Sequence, residues 1–250
     1  MRTVADVLAA LALPAQSQLD KRVPKKLFLE QGAFVPGDKR KIQDGLEELI
    51  WVAALKPSNI AIAEYRDAVR EYLEIAVLSV ALKSDASKSR IIELIHRTIP
   101  YPVFLVLDQA DNIDISLAHK RASEGDSGKV VLDGEILSVC LSEAVPGEKE
   151  FLGSLSVAIQ PSVNLFVLYQ GWLDKLTALK VSQITGGFIT TGDAFGRLES
   201  FNEYETIQVR LKELRGLAGK ERQISRRVEL NLEVQQLEAR LVQLVEILKR

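Results

Sequence analysis

The sequence predicts an α+β protein, with a mixed-sheet α/β body followed by an α-helical C-terminal extension that ends in a long coiled-coil-like helix. Apolar runs of strand length alternate with amphipathic helical segments up to about residue 145, and beyond it the apolar residues recur mainly at helical spacing. We therefore divide the chain into an α+β body (1–145), a helical region with a glycine-rich loop (146–202), and a long helix or helical hairpin (203–250).

The first elements are predicted from apolar periodicity and from proline. The apolar residues of 4–11 share one helical face, which favours an amphipathic helix over a signal peptide. Pro24 prevents a regular helix, so 18–28 is predicted to be extended. Asp38 is a good N-cap residue, and the apolar residues after it recur at helical spacing, so one helix is predicted over 38–55.

Strands and one further helix are predicted to complete the sheet. A short alternating segment, 60–65, predicts a strand, and 72–82 is apolar on both faces, as in a central strand covered on both sides. A helix that ends at about Thr98 separates it from a second doubly buried strand over 101–107. Residues 112–119 alternate as in a further strand, although a helix also fits them.

A hairpin and three helices are predicted after that. Asp133-Gly134 lies between two short apolar segments, 129–132 and 135–141, and this dipeptide is typical of a two-residue β-hairpin turn. Helical spacing then predicts helices over the following ranges: 148–159, 164–181 and 203–217.

The last stretch, Lys220–Arg250, contains neither Gly nor Pro and has a seam of apolar residues at alternating steps of four and three. The seam consists of Leu230, Val234, Leu237, Leu241, Leu244 and Leu248. This spacing is typical of a coiled coil. The seam must pack on a partner, which can be this chain, a second copy or another protein. Packing within the chain and a coiled coil with another chain are both open alternatives.

Composition limits the compartment and the partners. The net charge of −2 predicts no overall attraction to nucleic acid or anionic lipid, so such binding requires local patches. The single cysteine, Cys140, excludes an intrachain disulfide and is typical of a reducing compartment. No apolar stretch is long enough to span a membrane. We therefore expect a cytoplasmic protein without a membrane partner.

No catalytic motif is complete. The predicted order α-β-β-α-β is close to the α-β-β-β-α-β core of restriction-endonuclease-like nucleases, whose sites use carboxylates and a lysine to bind Mg²⁺ and activate water. The candidates for such a site are Glu48, Glu64, Glu74 and Lys83. The compact (D/E)xK signature is absent, since Glu74 and Lys83 are nine residues apart. We therefore expect a degenerate core without metal or cofactor, and a Mg²⁺-dependent nuclease is the alternative.

Two groups of basic residues are candidates for contact with nucleic-acid phosphates, or else solvated faces. The candidates are Lys21, Arg22, Lys25, Lys26, Lys220, Arg222, Arg226 and Arg227. A further basic run, Lys39-Arg40-Lys41, has the same two interpretations.

Several segments resemble a known family in combination. They are KRVPKKLF (21–28), LIWVAALKPSNIAI (49–62), EIAVLSVALK (74–83), IPYPVFLVL (99–107), AHKR (118–121) and KERQISRRVELNLEVQQLE (220–238). They are similar to segments of the bacterial and archaeal domain of unknown function 4391 family, over nearly the whole chain.

The resemblance implies a prokaryotic protein, often encoded beside helicases and DNA methyltransferases of restriction-like or anti-phage systems. It implies no established activity and no catalytic residues. The leading interpretation is an accessory, non-catalytic component of a DNA restriction or defence assembly, which binds a protein partner or a second copy through its last helix. A nuclease and a nucleic-acid-binding module are the alternatives.

Overall fold

The computed structural model describes residues 2–32, 34–126 and 128–249, without the side chain of Phe195. It forms two compact units, Met1–Leu176 and Thr177–Arg250. Neither predicted boundary, after residue 145 or after residue 202, coincides with the division between these units. Helices account for about 51% of the residues and strands for 21%, which confirms the predicted α+β class.

The first unit contains a mixed six-stranded sheet and two small two-stranded sheets. The strands are β1 (Gln18–Arg22), β2 (Leu46–Leu55), β3 (Tyr65–Arg66), β4 (Glu71–Tyr72), β5 (Ile75–Leu82), β6 (Val103–Gln109), β7 (Asn112–Leu117), β8 (Lys120–Ala122), β9 (Val130–Leu132) and β10 (Leu137–Leu141). The large sheet has the order β1-β2-β5-β6-β7-β10, and β3-β4 and β8-β9 form the small sheets. In the large sheet β5 and β6 are parallel, and the other pairs are antiparallel.

The helices are α1 (Val4–Leu11), α2 (Lys25–Gln31), α3 (Pro36–Gly45), α4 (Pro57–Ile60), α5 (Lys88–Thr98), α6 (Glu148–Gly153), α7 (Leu165–Thr185), α8 (Ala194–Lys220) and α9 (Ile224–Leu248). Short 3₁₀ turns lie at Ala15–Ser17 and Val157–Ile159. None of the described helices is both long and apolar enough to cross a membrane.

Strand β5 is covered on both faces, as its sequence, apolar on both faces, predicts. Leu78 and its neighbours on one face belong to a core with residues of α2, α3 and α5, among them Ile95. On the other side of the sheet, Phe104 of β6 packs edge-on against Trp172 of α7, with 5.0 Å between ring centroids. Helix α5 makes the crossover between the parallel strands β5 and β6, which cannot be joined by a tight turn.

The predicted helix over 38–55 is wrong in its second half, where the chain forms β2. The register of β2 against β5 shifts twice within the strand. Each extra residue turns the following side chains to the opposite face of the sheet. In the first seven residues of β2 the buried side chains therefore fall at Leu46, Leu49 and Val52, and this three-residue step imitates one face of a helix.

Two predicted extended segments are only partly correct: 18–28 is extended over β1 but helical from Lys25. Pro24 is the N-cap of α2, so Lys25 and Lys26 lie in a first helical turn, where the missing N–H of a proline costs nothing. Most of 60–65 is not a strand, because α4 ends at Ile60 and β3 begins only at Tyr65.

The predicted β-hairpin has the right turn but the wrong pairing. Gly134 has the positive φ of 87° that the dipeptide requires. The strands on its two sides nevertheless pair elsewhere, β9 with β8 and β10 with β7. A local turn signal specifies a reversal of the chain, but tertiary contacts choose the neighbouring strand.

The last two helices are longer or shorter than predicted. Helix α8 extends from Ala194 to Lys220, so Lys220 ends α8 rather than beginning the final helix. Arg222 lies between the helices, and α9 begins at Ile224. Arg250, the end of the predicted helix, lies outside the described residues.

Candidate functional site

The α8–α9 hairpin covers the predicted leucine seam in cis. The helices are joined by the short connection Glu221–Gln223. Seam residues Leu230, Val234, Leu244 and Leu248 are buried, and Leu237 and Leu241 are partly buried. Most of them pack against the apolar face of α8, formed by Ile207, Leu211, Leu214 and Ala218. Leu248 packs with Val181 and Phe201. The seam therefore has its partner inside this chain.

Ion pairs lie beside the seam and are consistent with an antiparallel register. Arg240 donates from Nε and Nη2 to the two carboxylate oxygens of Glu203, at 2.7 and 2.8 Å. This guanidinium lowers the pKa of the Glu203 carboxyl. Arg210 donates to Glu233 at 3.0 Å. Because these side chains are about half exposed, the pairs define the register more than they stabilise the hairpin.

A second apolar stripe, called the outer stripe below, lies on the opposite face of α9 and was missed by the sequence analysis. It consists of Ile224, Val228, Leu232, Gln235, Ala239 and Val242, all exposed. At 100° per residue these positions centre about 150° from the seam. The stripe contains no charged residue, although charged residues flank it on both sides. Isolated exposed apolar residues are ordinary, but these residues follow a helical period along one face, which makes the stripe a candidate contact surface.

The predicted basic residues fall into two separate places. Lys21 and Arg22 are exposed on the edge strand β1, and Lys25 and Lys26 lie in the first turn of α2. Arg22 contacts Glu48 at 3.3 Å.

The other basic residues lie around the α8–α9 connection. Lys220 and Arg222 are exposed there, as are Arg226 and Arg227 of α9. Arg226 donates to Glu229 at 2.6 Å. Of this group, Arg226 is therefore already engaged by a carboxylate of its own helix.

The nuclease candidates do not converge. Glu74 precedes β5 and Lys83 follows it, so an eight-residue strand of roughly 26 Å separates them. Glu48 lies on β2 opposite Ala81, near the Lys83 end, and Glu64 is exposed before β3 and bonded to Arg66. Among residues 2–32, 34–126 and 128–249, no cluster of His, Cys, Asp and Glu could hold a metal ion.

Glu74 has a local partner instead. Its carboxylate is buried and lies 2.9 Å from the ammonium of Lys56, whose pKa it raises. This pair joins the segment before β5 to the end of β2. Its geometry explains the buried carboxylate without a metal.

Sequence reasoning also missed a buried lysine. The Nζ of Lys120, on β8, donates to the main-chain oxygens of His96 and Ile99 at the end of α5. His96 lies in the last turn of α5 and is buried, and burial lowers its pKa to about 3. Lys120 therefore caps the C-terminal end of α5. In the sequence, the only pointer to Lys120 is that it belongs to the family-like segment AHKR (118–121).

His119 belongs to a second buried network. Its Nε2 donates to the side-chain oxygen of Gln170 at 2.7 Å, which leaves Nδ1 to accept from the hydroxyl of Tyr72. The amide of Gln170 donates in turn to Asp174. Burial lowers the pKa of His119 and raises that of Tyr72. The network is satisfied internally and holds β4, β8 and α7 together.

The geometry thus describes an α+β protein with a C-terminal helical hairpin and an exposed apolar stripe. The family model of the domain of unknown function DUF4391 matches residues 11–241, nearly the whole chain, and the chain belongs to this family. No curated protein and no solved structure matches the chain.

Proposed function

We propose that this chain is an interaction component whose outer stripe on α9 binds a second copy of the same chain. The dimer would act as a non-catalytic accessory component of a prokaryotic DNA restriction or anti-phage assembly, beside a helicase or DNA methyltransferase. That biological setting rests on what the family resemblance implies. The observation that carries the proposal is the exposed, uncharged, heptad-like spacing of the outer stripe.

The stripe is complementary to itself when two copies of α9 run antiparallel about Gln235. Val228 and Val242 lie seven residues before and after Gln235, so each faces the other in the second copy. Leu232 and Ala239 lie three before and four after it, which places a large side chain against a small one. Such a two-fold contact uses the same patch on both chains.

The distribution of charge along α9 also favours a second copy of the chain as the partner. Since the outer stripe is uncharged from Ile224 to Val242, two copies can approach without repulsion along it. Glu246 continues the heptad spacing and meets Ile224 and Arg227 of the second copy, where an opposite charge is available. Gln235 at the centre can bond to its own copy, and a polar residue at such a position specifies register.

Light scattering after size exclusion tests the proposal. The natural sequence is expected to have the mass of two chains, and Leu232→Glu that of one chain with unchanged helical content. Val209→Glu, at an exposed apolar position of α8, is the matched control and should stay dimeric. A natural chain that remains monomeric at every concentration would overturn the proposal, as would equal dissociation by the control.

Cysteine crosslinking tests the orientation. In a Cys140→Ser background, Gln235→Cys should form a disulfide-linked dimer on oxidation, because the two-fold axis places it beside its own copy. Val228→Cys should not, because antiparallel packing places it against Val242. Efficient crosslinking of Val228→Cys would show a parallel pair and contradict the proposed contact.

A further inference from the structure

A groove between α2 and α3 brings together lysines from two helices that sequence analysis assigned to different groups. Lys25 and Lys26 come from the first turn of α2 and Lys39 from α3, and all three line a groove of about 470 Å³. Gln43 lines it too. This groove belongs wholly to the first unit, and it lies beyond the function proposed for α9.

The positive charges of this groove are largely uncompensated. Within the described part of the chain, neither Lys25 nor Lys39 has a carboxylate within ion-pair distance. Lys26 lies 4.0 Å from Glu30, and both side chains are well exposed, so this pair is weak. A cluster of like charges on two adjacent helices repels itself, and an anion in the groove would relieve that repulsion.

The acidic residue beside Lys39 is turned to another partner. Asp38 accepts two hydrogen bonds from Arg90, at 2.9 and 2.6 Å, and the guanidinium lowers the pKa of this buried carboxyl. Asp38 is therefore neutralised from the α5 side and does not compensate Lys39. The fold removes the nearest negative charge on α3 from the groove.

Exposed cations also lie outside the groove. Lys21 is exposed on the edge strand β1, and Arg40 and Lys41 are exposed on α3. Three ammonium groups on two helices suit an anion with several negative groups better than a single small one. Helix N-termini do not supply a small-anion cradle here, because α2 is short and α3 begins with Pro36, which has no N–H.

We infer that the α2–α3 groove binds the phosphate backbone of nucleic acid, with Lys25, Lys26 and Lys39 as the contacting residues. Lysine ammonium groups are compact point charges that neutralise single phosphates without reading bases. Ammonium groups spaced along a groove suit the repeated phosphates of a nucleic-acid backbone. Binding is independent of base sequence and strongly dependent on salt.

Fluorescence anisotropy with labelled duplex DNA of mixed sequence, over a series of NaCl concentrations, tests this inference. The natural chain should bind, and the triple variant Lys25→Ala/Lys26→Ala/Lys39→Ala should lose at least about tenfold in affinity. Each lost phosphate contact lowers the slope of log affinity against log salt by about 0.9, so the slope should fall by about 2 to 3.

The matched control removes as many positive charges elsewhere, as Lys212→Ala/Lys220→Ala/Arg222→Ala, all exposed in the second unit. Its affinity should stay within about threefold of the natural chain, since nonspecific attraction depends only weakly on net charge at a distance. Equal losses in both triples, absence of salt-dependent binding, or binding to phosphatidylserine vesicles in place of DNA would each overturn the inference. Light scattering on the same variants separates this result from the dimer proposal, because neither triple alters the outer stripe.

Discussion

The ammonium of Lys120 donates hydrogen bonds to the main-chain oxygen of His96 and so caps the C-terminal end of α5 from a neighbouring strand. The side chain is buried, and burial lowers its pKa to about 7. A neutral amine still has two N–H groups, enough for both carbonyl oxygens that it contacts. The cap therefore survives deprotonation, and the charge can be lost without loss of the contact.

Lys120 should give the stability of this protein a distinctive alkaline dependence. Its pKa is lower in the folded chain than the ordinary 10.5, so between about pH 7 and 10 the unfolded chain binds more protons. Stability should therefore rise with pH in this window, by at most about 1.4 kcal/mol per pH unit. Urea unfolding at pH 7, 8 and 9 measures this rise.

Lys120→Met is the comparison for that experiment. It leaves two buried carbonyl groups unpaired and should cost about 1–3 kcal/mol at pH 7. Its stability should lack the alkaline rise, so the gap between variant and natural chain should widen towards pH 9. A constant gap would mean that Lys120 stays charged in the folded chain.

His96 should make the protein sensitive to acid. The pKa of His96, about 3, lies below the ordinary 6.5, so below pH 6.5 the unfolded chain binds more protons than the folded chain. The stability of the fold should therefore decrease as the pH is lowered. His96→Leu removes the bond between Nε2 and Ser116 and should destabilise the protein at pH 7. Thermal unfolding from pH 7 to pH 4 should show the difference between variant and natural chain narrowing. If the melting temperatures of variant and natural chain fell in parallel from pH 7 to pH 4, His96 would not be neutral in the folded chain.

The seam and the outer stripe should differ in their response to truncation. Leu244→Ala removes a side chain that is 1% exposed and packed in the hairpin, and should cost the second unit about 2–5 kcal/mol. Val242→Ala, two residues away and 67% exposed, should cost the folded monomer less than about 0.5 kcal/mol. Chemical unfolding followed by circular dichroism measures both. Similar costs would show that the assignment of faces on α9 is wrong.

Two glycines of α3 should respond in opposite directions to alanine. A Cβ on Gly45 would meet the Cβ of Ala86 at 2.8 Å and a terminal carbon of Ile91 at 3.0 Å, so Gly45→Ala should destabilise by about 1–3 kcal/mol. A Cβ on Gly37 meets no atom within 4 Å. Gly37→Ala should therefore stabilise by about 0.5–1 kcal/mol through helix propensity. Thermal unfolding at pH 7 compares the two, and equal signs would refute this packing.

The nuclease alternative has a direct test. Purified protein incubated with Mg²⁺ or Mn²⁺ and plasmid DNA is expected to leave the DNA intact, because Glu74 and Lys83 lie at opposite ends of β5. Gel electrophoresis measures cleavage. Cleavage that disappears in Glu74→Ala, in a variant that remains folded, would restore the nuclease interpretation.

Some elements could be predicted because local sequence decides them. The run 75–82 has no polar face, so it had to be a strand covered on both sides, and α5 is amphipathic and ends before Pro100. The seam of α9 was predicted residue by residue from its spacing. The outer stripe has a spacing just as regular, but Gln235 and Ala239 weaken its apolar signal, and it was overlooked.

Other elements depended on partners that are distant in the chain. The bulges of β2 are stabilised by its pairing with β5, and their three-residue step imitates a helix in the sequence. The pairing of β9 with β8, rather than with β10, likewise depends on tertiary contacts and not on the local turn. Lys25 and Lys39 line the same groove because α2 and α3 pack against each other, which the sequence did not predict.

The sequence by itself determined the fold class, the central strands, the seam residues and the family, because periodicity and composition act over a few neighbouring residues. Only the tertiary structure decided that the seam packs on α8, that Glu74 and Lys83 are far apart, and that Lys120 caps α5. Each of these depends on which surfaces meet, and apolar burial is non-directional, so spacing shows that a face needs cover without showing what covers it.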